Sequence, residues 1–470
     1  MKLTLIGGGG VRAPLFVGSA LRRAERSGLT EICLHDINAD KLEIFGTLSS
    51  ELATRMQSRV RISTASDTER ALDGASYVVT TVRPGDEEGR IKDERIALAH
   101  DVLGQETTGP GGFAMALRSI PVILDYAAQL QRVSPKAWLF NFTNPAGLVT
   151  QALQDAGFDR AIGICDGANG AQEAIASRFH LPQNDVRTEV FGLNHLSFTR
   201  AAYVNGKEVL QDLLDDDDFL ASTSQRMFSP SVVRRHRLWI NEYLYYYYYA
   251  EKAVAAVQSD KRTRGEEVRD LNRSLMARLK EIGVTQNADE ALSAYFAYEQ
   301  RRNATYMHYA RGDAPSMEEA DRNASLPEET TGHEGEGYAG VALNLVDALQ
   351  TGVPCYSGLN IRNGDAIDGL RADDVVEVSC VIDRDGVRPT KIGAMPEAQS
   401  QLVQNVKHYE RLAVAAIRER RRDIAVEALA AHPLVLSYSR AEPLVDEYLK
   451  AHAAYVASGA DDGTRAGQPL

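Results

Sequence analysis

Residues 2–36 read KLTLIGGGGVRAPLFVGSALRRAERSGLTEICLHD. Residues 2–6 form a short apolar run with the length of a buried strand. Glycines break it at once, and residues 14–27 carry the pattern of a helix. ICLHD then reads as a second strand ending on Asp36. Gly8-x-Gly10-x-x-Ala13 has the permissive G-x-G-x-x-G/A form and stands between a strand and a helix, which is the context that gives it meaning. Such a turn lets a pyrophosphate approach the backbone at a helix N-terminus. A carboxylate at Asp36 can accept hydrogen bonds from an adenosine ribose and would repel a 2′-phosphate, so NAD is favoured over NADP. Gly8, Gly9, Gly10, Val11, Arg12, Asp36 and Arg83 are the candidate cofactor contacts. The plainer alternative is a structural turn with no ligand.

Outward from this unit, ASYVVTTV (75–82), KAWLFNFTNP (136–145) and RAIGICD (160–166) read as further apolar strands with helical stretches between most of them. Strand and helix alternating at this spacing predict an α/β fold, a Rossmann-like doubly wound parallel sheet. After about residue 190 the pattern changes. EVFGLNHLSFTRAAYVNGKEV suggests extended strands with an Asn-Gly turn, and DVVEVSCVIDRDGVRPTKIG a hairpin with an Asp-Gly turn. Residues 237–300 and 398–455 read as helical. The expected organisation is a nucleotide-binding domain over 1–190 and a mixed α+β domain over 191–458. A loop is expected over 308–335 and a frayed tail over 459–470.

The 470 residues carry 52 Lys and Arg against 65 Asp and Glu, a formal charge of −13. That argues against a nucleic-acid binder, which needs a basic surface, although Arg234, Arg235 and Arg237 form a local basic run. Four cysteines without a CxxC pair suggest a reducing, cytoplasmic setting. The N-terminal apolar run is too short for a signal peptide or a membrane span.

In a doubly wound sheet, ligands sit beyond the carboxyl ends of the strands. Arg83, Asn144, and Cys165 with Asp166 fall there. Cys165 and His195 admit three readings, one of them a Cys–His nucleophilic pair that no local sequence feature favours. A thiolate and an imidazole can hold a transition metal, but two residues thirty apart are more economically a buried cysteine and a core histidine. NEYLYYYYYAEKA carries six tyrosines between 243 and 249, most of which must be packing. One beside a cation could act as a base.

The motifs LTLIGGGGVRAPL, GRIKDERIAL, LGQETTGPGGFA, NFTNPAGLVT, GICD, FGLNHL, NEYLYYYYY, TRGEE, GYAGVAL, DDVVEVSC and HPLV follow one another in order. In this the chain resembles glycoside hydrolase family 4, on the 6-phospho-β-glucosidase branch. The resemblance implies a second domain like the C-terminal domain of lactate and malate dehydrogenases. It implies a hydrolysis run through redox chemistry: NAD⁺ oxidises the sugar at C3, a base removes the C2 proton, and the C1 leaving group is eliminated. Water then adds and C3 is reduced again. It further implies Cys165 and His195 as ligands of a divalent metal, usually manganese, and Tyr243 as the base. Asp166 matches the acid of some relatives, and Glu106 a residue that raises the tyrosine's basicity. Arg90, Asn144, Asn194 and Arg264 match substrate contacts. Relatives are commonly homodimers or homotetramers.

One stretch departs from the family pattern. Gly167-Ala168-Asn169 follows Cys165-Asp166 where phospho-sugar relatives often carry a Ser/Pro/Ile-like stretch at the phosphate end. A plain or differently charged glycoside is therefore the alternative substrate. From another class, an NAD-dependent 2-hydroxy acid dehydrogenase shares the two-domain plan, but it would need no metal thiolate.

Overall fold

Strand β1 (Lys2–Ile6) lies buried between two parallel neighbours, β2 (Glu31–His35) and β4 (Ala75–Thr80). Burial on both faces is why its sequence reads as a nearly continuous apolar run. The computed structural model describes residues 1–260, 262–304, 307, 310 and 337–456. The loop expected over 308–335 (apart from residue 310) and the tail 459–470 lie outside them.

The parallel part of the sheet adds β3 (Arg61–Ala65), β5 (Trp138–Asn141) and β6 (Ala161–Gly163), in the order β3-β2-β1-β4-β5-β6. This is the doubly wound order. Helices α1 (Ala13–Ser27), α2 (Ala39–Arg55), α3 (Thr68–Leu72), α4 (Asp86–Ala99), α5 (Gly109–Val133), α6 (Ala146–Asp155) and α7 (Gly170–Phe179) connect and cover the strands. Sequence reasoning found five of these six strands. It missed β3, an edge strand whose RISTA sequence is largely solvent-facing and lacks an apolar signature.

A second, antiparallel sheet is formed by β7 (Val186–Leu193), β8 (Leu196–Val204), β9 (Lys207–Glu208) and β10 (Trp239–Ile240). The expected Asn205-Gly206 turn joins β8 to β9. Three late strands, β11 (Cys355–Arg362), β12 (Val375–Asp383) and β13 (Gly386–Pro389), do not build a sheet of their own. They extend the first one, antiparallel, to nine strands. The β6–β11 junction is a single pair, Gly163 with Asn360. A Cβ on Gly163 would lie 2.3 Å from Thr150 Oγ1 and 2.7 Å from Asn360 Cβ, so only glycine lets β11 approach. Ser379 of β12 then fills a register shift in β7, accepting from Val190 N (2.8 Å) and donating to Thr188 O (2.6 Å).

The helices Arg264–Ile282 and Ala288–Ala304 pack Leu275, Leu279 and Tyr295 against Phe45 and Leu48 of α2. Tyr295 also donates to the Val11 carbonyl at 2.8 Å, which fastens this helix pair over the glycine turn. Of the basic run, Arg234 pairs with Asp217 and Arg237 with Asp215, so two of its three charges are spent on the neighbouring DDDD stretch. Cys33, Cys355 and Cys380 are free and buried, as expected of apolar positions. Among the described residues no helix is long and apolar enough to cross a membrane.

Arg118 of α5 and Asp93 of α4 form a fully buried ion pair at 2.7 Å, joined by His452 at 2.6 Å from Asp93. Arg118 also donates to the Pro84 carbonyl at 2.8 Å. Arg118→Met leaves the Asp93 carboxylate buried without its guanidinium, and should cost about 3–5 kcal/mol. Urea unfolding measures this. A loss within the error of the method would show that His452 alone can satisfy Asp93.

Candidate active site

The carboxyl ends of β1, β2, β4, β5 and β6 open into one cavity of about 2020 Å³. At β1, Gly7 takes φ +93°, and the amides of Gly7 and Gly8 donate to the His35 carbonyl at 2.8 and 2.7 Å. Gly8 faces β2 rather than the cavity; a Cβ there would meet Leu34 at 2.7 Å. Gly9, Gly10, Val11 and Arg12 line the cavity. A Cβ on Gly9 would touch the Asp36 carboxylate, whose Oδ2 accepts from Gly9 N at 3.1 Å. No side chain caps the first turn of α1, which leaves its N-terminus to an anion. The bare glycine turn, uncapped helix and Asp36 beside them fit a dinucleotide.

Beyond β4, Arg83 and Arg90 grip Glu106 between them, the Arg90 contact at 3.2 Å. Burial alone would raise the Glu106 pKa, but the two guanidinium groups hold it well below the carboxylate range. Arg90 also bonds Glu94 at 2.6 Å, and Glu94 accepts from Gly265 N at 2.8 Å. That bond ties the start of the helix Arg264–Ile282 to α4 and places Arg264 on the cavity wall. Arg264 pairs with Glu267 at 3.0 Å. Asn144, at a cis Asn144–Pro145 bond beyond β5, lines the cavity as well.

Cys165 follows β6, and His195 sits in the two-residue turn between β7 and β8, where Leu193 pairs with Leu196. His195 takes φ +60° and nearby Gly192 takes +133°, and a Cβ on Gly192 would strike Leu196 O at 2.3 Å, so glycine is required there. The fold brings Cys165 Sγ and His195 Nε2 to 3.3 Å. Thr107 sets the tautomer. Its hydroxyl donates to Gln105 Oε1 at 2.6 Å, so its oxygen accepts from His195 Nδ1–H at 2.7 Å. Nε2 therefore keeps its lone pair toward the sulfur. Burial pushes the imidazole pKa down to about 4, so the ring is neutral. Burial, then Asp166 and Glu377, push the free thiol up. Among the described residues no three His, Cys, Asp or Glu side chains gather as a complete metal cage. The pair fits a metal whose remaining ligands come from substrate and water.

Tyr243 stacks on His195, ring centroids 3.7 Å apart and planes within 4°. Asn241 accepts from Tyr243 N at 3.1 Å and donates to Ser197 at 3.1 Å, which anchors that stack to β8. Of the other tyrosines, Tyr245 and Tyr246 are core. Asp166 is exposed on the cavity wall. Asn194 is not on that wall. Its amide donates to Glu377 Oε1 at 3.1 Å, as does Asn360 at 3.1 Å. Asn169 also turns away, accepting from Gly358 N at 2.7 Å. Thr107, Gln105, Asn241 and Glu377 were not singled out from sequence. Thr107 and Gln105 lie inside the quoted GQETTGPGG motif, the one signal that could have found them.

A family model described as family 4 glycosyl hydrolase matches residues 2–181, and the model of that family's C-terminal domain matches 190–435. The chain belongs to the family 4 glycosyl hydrolases. It is 29% identical over 473 residues to a 6-phospho-β-glucosidase of Escherichia coli, covering 98% of this chain and 97% of that one. To the phospho-α-glucosidase PagL of Clostridium acetobutylicum it is 26% identical over 474 residues, covering 97% and 98%. A solved structure of the Thermotoga maritima 6-phospho-β-glucosidase with manganese, NAD⁺ and glucose 6-phosphate superposes with a TM-score of 0.78 at 27% identity, covering 97% and 99%.

Thr107→Val removes the acceptor that orients His195. Manganese affinity should fall about 10–100-fold, read by titration calorimetry, and Thr107→Ser should restore most of it. Unchanged affinity in the valine variant would show that the ring is not steered from Nδ1.

Proposed function

We propose that this chain hydrolyses 6-phosphorylated β-glucosides with the help of NAD⁺ and a divalent metal, probed most directly with manganese. The carrying observation is the stack of Tyr243 on His195, with Cys165 3.3 Å from that imidazole, in the same cavity as the glycine turn. Ordinary two-carboxylate glycosidases need no such constellation. The relatives' activities and the ligands in the T. maritima structure point the same way.

When bound, NAD⁺ would accept and return a hydride at C3, and the metal would polarise the neighbouring sugar oxygens. Cys165 and His195 would hold that metal; Gly9, Gly10, Val11, Arg12 and Asp36 would hold the dinucleotide. Tyr243, beside the metal ligands, removes the C2 proton as its phenolate, since adjacent positive charge favours the deprotonated form. Asp166, exposed on the same wall, delivers a proton to the departing C1 oxygen. Arg90 and Arg264 orient the substrate's anionic end. Glu106 keeps Arg83 and Arg90 apart and in place. A thiol ligand calls for the reducing, cytoplasmic setting.

The test is release of p-nitrophenol from p-nitrophenyl β-glucoside with and without a 6-phosphate, with NAD⁺ and Mn²⁺ under reducing conditions. Release is expected from the phosphorylated compound and only while NAD⁺ is present. No release from either, or release indifferent to NAD⁺, overturns the reading. Net accumulation of NADH would instead mark a dehydrogenase. Tyr243→Phe should lower kcat about 10²–10⁴-fold, and deuterium at C2 should slow the wild type.

A further inference from the structure

Cys165 follows a strand of the nine-stranded sheet, whereas His195 sits in a hairpin of the other sheet. Their approach to 3.3 Å therefore depends on groups that fix the sulfur from the chain around it. Two donors reach Cys165 Sγ, the backbone amide of Gly167 and the side-chain amide of Asn194. Asn194 Nδ2 also donates to Glu377 Oε1 at 3.1 Å. One amide group thus spans the gap between Cys165 and Glu377.

Glu377 is fully buried on β12. It stands opposite Asn360 in the β11–β12 register, so the two side chains share one face of the sheet. Asn360 Nδ2 donates to the same oxygen, Oε1, at 3.1 Å. Oε2 has no hydrogen-bond partner among the described residues. The groups that act on this carboxyl are Ser197, Asn194, Asn360 and Asp166, none of them a cation. A buried acid without a cation costs stability, and an apolar side chain of similar size would fill the space at less cost. What the carboxyl supplies is direction. An asparagine amide can turn over and exchange its donor and acceptor ends. Oε1 takes donors from two amides, so it is an acceptor whether or not Oε2 carries a proton. Facing it, Asn194 must present its nitrogen, and the second N–H of that nitrogen is left for the sulfur.

We propose that Glu377 is a positioning residue for the metal site: by fixing the amide of Asn194, it holds Cys165 Sγ in place for a divalent cation beside His195 Nε2. Asn194 thereby changes from a substrate contact to a support of the thiolate. This rests on the metal-dependent reading above.

The experiment titrates the full chain with Mn²⁺ by calorimetry and with Co²⁺, whose thiolate charge-transfer absorption reports a metal–sulfur bond directly. Asn194→Leu and Glu377→Met should each lower Mn²⁺ affinity about 10–100-fold and weaken the Co²⁺ band, while NAD⁺ affinity stays within about twofold. The NAD⁺ titration also reports that each variant is folded. Should Glu377→Met not fold, Glu377→Asp withdraws the acceptor by one carbon and should show the same loss. Because Glu377 acts through Asn194, the double variant should bind no worse than the weaker of the two single variants. Unchanged Mn²⁺ affinity in a folded Glu377 or Asn194 variant, or losses that add in the double variant, overturn the assignment. A wild type that binds neither cation instead removes the metal-dependent reading, and this inference with it.

Discussion

The close approach of β11 to β6 at Gly163 governs how the two halves of this chain work together. A side chain at Gly163 would push β11 off the sheet. With β11 in place, β12 follows, and Glu377 of β12 comes to lie behind Cys165 and Asn194. The parallel strands deliver the glycine turn, Asp36, Arg83, Asn144 and Cys165 to one edge. The later strands deliver the support beneath them. One residue pair therefore joins the sheet edge that carries the glycine turn to the strands that support Cys165 and His195.

That support is an unusually polar layer for a protein interior. Glu377 is fully buried, and burial pushes its pKa up to about 7 against the hydrogen bonds from Ser197, Asn194 and Asn360. Asn194 in turn bonds Cys165 and carries the turn that presents His195. From the other side, Gln105 and Thr107 set the imidazole's tautomer. A left-handed histidine at the tip of a tight hairpin is strained. Its ring is held by the hydrogen bond to Thr107 and by the stack with Tyr243, so its lone pair has one direction to point.

Much of this was legible in the sequence where chemistry and local pattern coincide. Apolar runs marked the buried strands, and glycines marked the turn at β1. Cys165 and His195 could be picked out, but their residue types alone favoured a core reading; only the fold shows them 3.3 Å apart. Partners separated by long stretches of chain left no local trace. Thr107 and His195 are 88 residues apart, and Asn194 and Glu377 are 183 apart. Asn194 illustrates the limit. The family motif named it, yet its side chain is turned to Glu377 and Cys165 rather than forming part of the cavity wall. Polar edge strand β3 shows the same limit for the fold, because a strand that buries little carries little pattern.

The acidic character of the whole chain and the cationic character of its cavity are reconciled by distance. At physiological ionic strength charges are screened over about 8 Å, so the net −13 is felt weakly inside the cleft. What an anion meets there is Arg12, Arg83, Arg90, Arg264 and Arg302. Arg302 is held below its ordinary range, by burial first and then by Arg12 and Arg83. Glu106 offsets part of this crowding but is already shared by Arg83 and Arg90. Folding thus sets Arg12, Arg83 and Arg302 near enough to one another beside the glycine turn to act on each other's charge. The cations are arranged before the ligand arrives, so its charge is met by fixed groups rather than by side chains that must first be ordered.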